Sequence, residues 1–360
     1  MSTNKLLRVG VIGTGEFAEI CHIPGIISHP HANVVAVCGR NIAATKRLGD
    51  KFNIKITTTD FDILCSDPMI DAITIASANV AHAEHAIKAL RHGKHVFCEK
   101  PLAISVQEAS EMAHIAVTSG KVHQVGFTFR YNYGVHELRR RIAAGDIGNP
   151  YFARIQYDRW DGLCDSCKTG SKPKNWVADA GMLLDLGSHL FDITKHVMGE
   201  IDSVIGYTHV IPRRVRDGLS GQIIKVQEDD MVNAWIRHTN GARAQFFISR
   251  VTPPFGQLGY LEVIGEHGAL KAALSRGTVD TLRASSPTNK EWQNIPLNQE
   301  AYDGKPHALK LMMHSFVDAC ICGQLDNSKD ASFIDGLATQ RAIHSLLESE
   351  KTFYWTRLIS

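Results

Sequence analysis

The chain of 360 residues is short of the features that announce a specialised partner. Its formal net charge is only +2, so no overall field calls for nucleic acid or an anionic membrane. The basic runs Arg139-Arg140-Arg141 and Arg213-Arg214-Val215-Arg216 are short, and a solvated helix face and a loop account for them. No apolar run is long enough to span a bilayer. Met1–Leu7 lacks the apolar core of a signal peptide. The eight cysteines are scattered, which in a large chain suggests reduced thiols and a cytoplasmic protein. Cys164 and Cys167 have zinc-like spacing. A zinc site needs four ligands and no second pair accompanies them, so no metal is expected. Cys320 and Cys322 read as packing residues of a helix. Internal repeats and low-complexity segments are also missing. What is present is 44% hydrophobic residues, enough for the cores of two domains at this length.

An apolar strand over Arg8–Ile12 runs into Gly13-Thr14-Gly15-Glu16-Phe17-Ala18, which opens a helix. This is the G-x-G-x-x-G/A pattern between a strand and a helix, where a dinucleotide site requires it. Gly13 permits the tight turn, Gly15 lets a pyrophosphate approach the backbone, and Ala18 keeps the helix close to the sheet. Free N–H groups at the helix start face the phosphates. The second strand, Val34–Cys38, ends in Gly39-Arg40-Asn41 without the acidic residue that holds a ribose 2′-hydroxyl in NAD sites. Arg40 suits a 2′-phosphate instead, so NADP(H) is favoured, with NAD(H) as the alternative.

The alternation continues through a helix at Ile42–Phe52, a strand at Asp71–Ala76 and a helix at Ala83–His92. Between the last two, the loop Ser77–His82 should cover the cofactor with Ser77 and Asn79. His82 reads equally as a helix-start residue satisfied by backbone. Next come the strand His95–Cys98, Glu99-Lys100-Pro101 at its carboxyl end, a helix at Val106–Ser119 and a strand at Val122–Phe127. Glu99 and Lys100 would sit at the lip of the sheet, where such sheets bind ligands. Pro101 ends the strand, and its peptide bond can be cis. Successive β-α units of this length predict an α/β fold with an N-terminal Rossmann doubly wound parallel sheet over residues 1–125.

From residue 126 onward the pattern changes. After a helix at Val135–Ala144, the stretches Tyr151–Tyr157, Ser203–Val210, Met231–His238, Ala242–Ser249 and Leu261–Ile264 alternate with period two. Helices at His307–Cys320 and Phe333–Glu350 follow. Residues 126–360 therefore read as a C-terminal α+β domain with a mostly antiparallel open sheet. Asp185 and His189, four apart on an expected helix, would share one face. Tyr157 and Trp176, with Trp160, border a polar loop suited to a polyol.

Taken together, Gly13–Ala18 followed by His22-Ile23-Pro24, Glu99-Lys100-Pro101, and Asp185-x-x-x-His189 resemble the Gfo/Idh/MocA oxidoreductases along nearly the whole chain. Glu228-Asp229-Asp230, Asn240-Gly241-Ala242 and Leu261–Gly265 resemble that family's second domain. The resemblance implies NAD(P)-dependent redox chemistry on a sugar, inositol or related polyol, by a homodimer or homotetramer, with residues 126–360 binding substrate and their open sheet mediating the oligomer. It makes Lys100, Asp185 and His189 the catalytic residues. Lys100, Arg130, Tyr157, Trp176, Asp185 and His189 then contact substrate, and Glu99, Lys100, Arg130 and Trp176 join the cofactor wall. Two departures stand out. Only Gly181 remains of a glycine run before the aspartate, and Thr128-Phe129-Arg130 replaces Asn-x-Arg. His189 has the intrinsic pKa nearest neutrality and is the first choice as base, with Lys100 as the other. An NAD-dependent glycosidase of the same family and a non-catalytic dinucleotide sensor are the alternative readings.

Overall fold

The computed structural model describes residues 6–159, 181–212, 214–216, 223–253, 259–275, 280–289, 291–297 and 307–358. The chain divides into two compact units. The first holds residues 1–131, 276–278 and 302–340, and the second holds 132–275, 279–301 and 341–360. The first unit thus takes in a late stretch of chain in addition to the expected N-terminal part.

In the first unit, β1 (Leu7–Ile12), β2 (Ala32–Cys38), β3 (Ile56–Thr58), β4 (Ala72–Ile75), β5 (His95–Cys98) and β6 (His123–Val125) form one sheet. Its order is β3-β2-β1-β4-β5-β6 and every pairing is parallel. These strands are nearly unbroken apolar runs because helices cover both faces. On one face Val9, Val34 and Phe97 join a core with Ile23, Ile26, Met312, Met313 and Phe316. On the other, Ile73, Ile75 and Val96 join Ala86, Leu90 and Met112. Strand order reverses between β1 and β4, the place where doubly wound sheets open a crevice beyond the strand carboxyl ends.

Short-range chemistry sets the helix bounds. Helix α1 (Ile23–Ile27) is preceded by a π-helical turn, Ala18–His22, closed by the Ile23 N–H on the Ala18 carbonyl. Pro24 lacks an N–H and crowds the carbonyl four residues back, and a widened turn relieves that crowding. Asn41 caps α2 (Ile42–Phe52), accepting from the Ala43 and Ala44 N–H groups. Helix α3 (Phe61–Ser66), capped by Asp60, and the short β3 before it are additions to the expected elements. Helix α4 (His82–Arg91) follows, and Ser105 caps α5 (Val106–Ser119) by accepting the Glu108 N–H.

In the second unit, helix α6 (Tyr133–Ala143) is capped by Asn132. It precedes β7 (Pro150–Asp158), and a π-helical turn at Leu183–Gly187 runs into α7 (Ser188–Met198). The later strands are β8 (Ile201–His209), β9 (Arg214–Arg216), β10 (Ile223–Lys225), β11 (Met231–His238), β12 (Arg243–Ser249), β13 (Gly259–Gly265), β14 (Gly268–Ala273), β15 (Leu282–Ser285), β16 (Gln293–Ile295) and β17 (Thr356–Arg357). They make a sheet of order β16-β15-β14-β13-β7-β12-β11-β8-β17, plus a separate β9–β10 ribbon. All pairings are antiparallel except β7 with β12. Period-two alternation points Val232, Ala234 and Ile236 inward. Helix α7 covers that face, with Phe191 edge-on to Phe246 at 4.9 Å between ring centroids.

Candidate active site

The crevice of the first unit is a cavity of about 660 Å³, within the usual size for a small-molecule site. Gly13, Thr14, Gly15, Gly39, Arg40, Asn41 and Ser77 are among the residues lining it. Gly13 has φ +126°, and a Cβ there would lie 2.2 Å from the Ala76 carbonyl oxygen. Only glycine fits that conformation and that gap. Its N–H donates to the Cys38 carbonyl at 2.8 Å, locking β1 to β2. Gly15 is the opposite case, because among the described residues a Cβ there would meet nothing within 4 Å. The backbone at Gly15 is therefore open to a ligand. Asn41 spends its side chain on the α2 cap, at 2.9 and 3.1 Å from the Ala43 and Ala44 nitrogens. Arg40 stands exposed on the same wall.

The wall contains residues that sequence reasoning missed. Thr59 and Phe61 line it from the β3–α3 turn, and His85 lines it from α4. The signal was there: Thr57-Thr58-Thr59 is β-prone and Asp60 is a good helix cap. His85 Nδ1 lies 3.0 Å from the Ser77 hydroxyl. Burial, aided by the charge of nearby His82, pushes the His85 imidazole down to about 4. Of the other cofactor candidates, Glu16 is exposed and Phe17 is half-buried against the sheet core. Asn79 opens a 3₁₀ turn, Asn79–Ala81. His82 is fully buried, with Nδ1 2.9 Å from the Pro101 carbonyl and Nε2 3.3 Å from the Ser77 carbonyl. Burial holds its imidazole below the ordinary value. A neutral ring carries one N–H, and the closer Pro101 carbonyl is its better acceptor.

Glu99 is 7% exposed and Lys100 half-buried at the end of β5, and the Lys100–Pro101 bond is cis. Arg130 is buried, donating to the Asp330 carbonyl at 2.8 Å and lying 3.5 Å from Asp335.

In the second unit, Asp185 sits within the π-helical turn, not in a regular helix as the four-residue spacing suggested. The Ser188 N–H reaches back five residues to the Leu183 carbonyl, so the turn is widened between Asp185 and His189. His189 is 6% exposed, whereas the Asp185 side chain is 38% exposed and paired with Arg159 at 3.1 Å. Arg159, placed by sequence in an unspecified polar loop, is thus a charged partner of a candidate catalytic group. Asp229 anchors the start of this turn. Its carbonyl accepts from Met182 at 3.1 Å and its Oδ2 from Leu183 at 2.8 Å. Burial pushes the Asp229 carboxyl up. A Cβ at Gly181 would overlap the Asp229 carboxylate, only 1.8 Å away, so the one glycine kept before Asp185 makes this anchor possible. Tyr157 is buried in the sheet against Gly259. Trp160, Trp176, Cys164 and Cys167 lie outside the described residues. Among the described residues no cluster of His, Cys, Asp and Glu could hold a metal ion, and no helix is long and apolar enough to cross a membrane.

Residues 7–127 match the model of an oxidoreductase family with an NAD-binding Rossmann fold, and residues 135–271 match the GFO/IDH/MocA C-terminal domain. The scyllo-inositol 2-dehydrogenase (NAD(+)) of Bacillus subtilis is 27% identical over 267 residues, 73% of each chain. The levoglucosan dehydrogenase of Pseudarthrobacter phenanthrenivorans is 32% identical over 231 residues, 59% of this chain and 57% of its own. A levoglucosan dehydrogenase solved with NADH and levoglucosan has the same fold, with a TM-score of 0.85 at 22% identity, over 99% of this chain and 100% of the other.

Proposed function

The chain belongs to the Gfo/Idh/MocA oxidoreductase family, and from that premise we propose that it transfers a hydride reversibly between a nicotinamide dinucleotide and a hydroxyl-bearing carbon of a sugar, inositol or related polyol. The observation that carries this reading is the crevice at the strand-order reversal. Its Gly13 turn is packed shut from behind while the backbone at Gly15 is open in front. That is the shape a pyrophosphate needs to reach helix-start N–H groups. The residues therefore fit a dinucleotide, which when bound supplies the hydride chemistry.

The chain's own groups do the rest. Lys100, beyond the carboxyl end of β5 in the unit that holds the crevice, donates to the reacting oxygen and stabilises alkoxide charge. An imidazole nitrogen of His189 takes the hydroxyl proton, since histidine titrates nearest neutrality. Asp185, paired with Arg159, orients His189. Arg40, exposed where NAD sites carry an acid, favours NADP(H) through a charge-assisted contact to the 2′-phosphate. NAD(H), named for the scyllo-inositol 2-dehydrogenase and bound in the solved levoglucosan dehydrogenase, is the second cofactor. The outward sheet face, with Tyr207 53% and Trp235 42% exposed, is where a second copy of the chain would pack.

The test is turnover of scyllo-inositol, levoglucosan and D-xylose with NADP⁺ and NAD⁺, read by reduced-nicotinamide absorbance. His189→Ala should lower kcat by roughly 10²–10⁴-fold and leave dinucleotide affinity unchanged. Full activity in that variant across pH would remove the base from His189.

A further inference from the structure

One motif of the sequence has no part in the reaction outlined above: His22-Ile23-Pro24. His22 ends the π-helical turn that follows the glycine-rich loop, and it is fully buried. Its Nε2 lies 3.1 Å from Glu99 Oε1. A carboxylate only accepts, so Nε2 is the donor. Phe97 of β5 fixes the ring from the side, edge-on at 5.2 Å and 88°. The other ring nitrogen, Nδ1, is buried with no hydrogen-bond partner among the described residues, so among them the ring is committed to Glu99.

The second oxygen of Glu99 faces the next residue. Oε2 accepts the Lys100 backbone N–H at 3.3 Å. Three strand ends meet around this carboxylate. The Glu99 N–H binds the Ile75 carbonyl of β4 at 2.9 Å, and the Gly126 N–H beyond β6 binds the Cys98 carbonyl of β5 at 2.9 Å. Gly126 leaves the space: a Cβ there would lie 2.9–3.0 Å from the carboxylate atoms. On the far side of Lys100, the Pro101 carbonyl is held by His82 at 2.9 Å. The backbone of Lys100 is therefore gripped on both sides.

We propose that His22 and Glu99 are positioning residues for Lys100: His22 orients the Glu99 carboxylate, which fixes the peptide from which the Lys100 ammonium projects. This rests on the role assigned to Lys100 above. A buried hydrogen-bonded pair with no such duty can be replaced by apolar residues of similar volume at little cost in stability. A carboxylate that must serve His22 and the Lys100 amide at once cannot be so replaced without loss of kcat.

The variants are His22→Leu, His22→Gln, Glu99→Gln, the double variant His22→Leu/Glu99→Met, and Lys100→Met as reference. Readouts are Tm, NADH affinity by fluorescence, kcat and KM on the fastest of the three substrates above, and amide hydrogen exchange. His22→Leu should raise exchange at the Lys100 amide about tenfold while the amides of His95–Cys98 keep their protection. Misplacement of the reacting group should lower kcat by ~10- to 100-fold, with NADH affinity unchanged. His22→Gln, which can still donate to Glu99, should restore most of both. The double variant should regain Tm but neither kcat nor Lys100 protection. Should His22→Leu fail to fold, Glu99→Gln keeps the volume and should show the same pair of losses. Wild-type exchange at Lys100 in His22→Leu or Glu99→Gln, or a double variant that recovers kcat along with Tm, would overturn the proposal. A Lys100→Met enzyme with full activity would instead overturn the reading beneath it, while the exchange result still reports the grip itself.

Discussion

The two glycines of the first turn should respond to the same substitution in opposite ways. At Gly13 the φ of +126° and the 2.2 Å approach to the Ala76 oxygen forbid a methyl group. Forcing a side chain into such backbone costs about 1–3 kcal/mol, and overpacking adds ~1–3 kcal/mol. Gly13→Ala should thus lose ~2–6 kcal/mol of stability, a large share of what a domain possesses. At Gly15 a methyl meets none of the described residues within 4 Å, so Gly15→Ala should change stability by less than about 1 kcal/mol. Its methyl would instead occupy the approach of the pyrophosphate. Losing one charge-assisted hydrogen bond there, worth about 1.5–3 kcal/mol, weakens binding roughly 10- to 150-fold. Urea unfolding and NADH or NADPH fluorescence titration of both variants give the four numbers needed. A Gly15→Ala protein that binds the dinucleotide like wild type would refute the placement of the phosphates. A Gly13→Ala protein of wild-type stability would refute the backbone geometry.

Three further outcomes are expected. Arg40→Asp should lower kcat/KM for NADP⁺ relative to NAD⁺ by about one to two decades, and an unchanged ratio would remove Arg40 from cofactor choice. His85, pushed from 6.5 down to about 4, supports the fold fully only above its unfolded value, and that support is lost as pH falls from 6.5 toward 4. The loss is at most about 3 kcal/mol before solvent screening at the open pocket wall reduces it. His85→Gln should flatten the stability curve in that window, and an identical slope would contradict it. Asp229, pushed upward by burial, acts with the opposite sign: it favours the fold below the ordinary aspartate range and less as pH rises through its folded value. Asp229→Asn should therefore gain stability relative to wild type as pH rises, with chemical denaturation at several pH values as the check.

Much of the fold was legible because local rules and tertiary packing agree. The apolar run of β1, the glycines after it and the helix start all state one βα unit, and the period-two stretches of the second unit state its sheet. Other features depend on contacts no local pattern encodes. Helix His307–Cys322 supplies Met312, Met313 and Phe316 to the first unit's core, although hundreds of residues separate it from β1. The strand β3 has only three residues, too few for periodicity to register, so the pocket wall at Thr59 and Phe61 went unseen. The spacing of Asp185 and His189 suggested a shared helix face, yet the π-helical turn intervenes, anchored by Asp229 from a distant loop. The pairs Arg159–Asp185 and His22–Glu99 are likewise long-range matches of charge and hydrogen bonding. Sequence names the partners there but not the pairing.

Hydride transfer itself is the most direct measurement. The enzyme is incubated with NADP⁺ or NAD⁺ and with scyllo-inositol, levoglucosan or D-xylose deuterated at their hydroxyl-bearing carbons, and the nicotinamide is analysed by mass spectrometry. One deuterium should arrive on the nicotinamide ring as the matching ketone or lactone forms. Tight binding of the dinucleotide with no label transferred from any of the three would contradict a dehydrogenase acting on polyols.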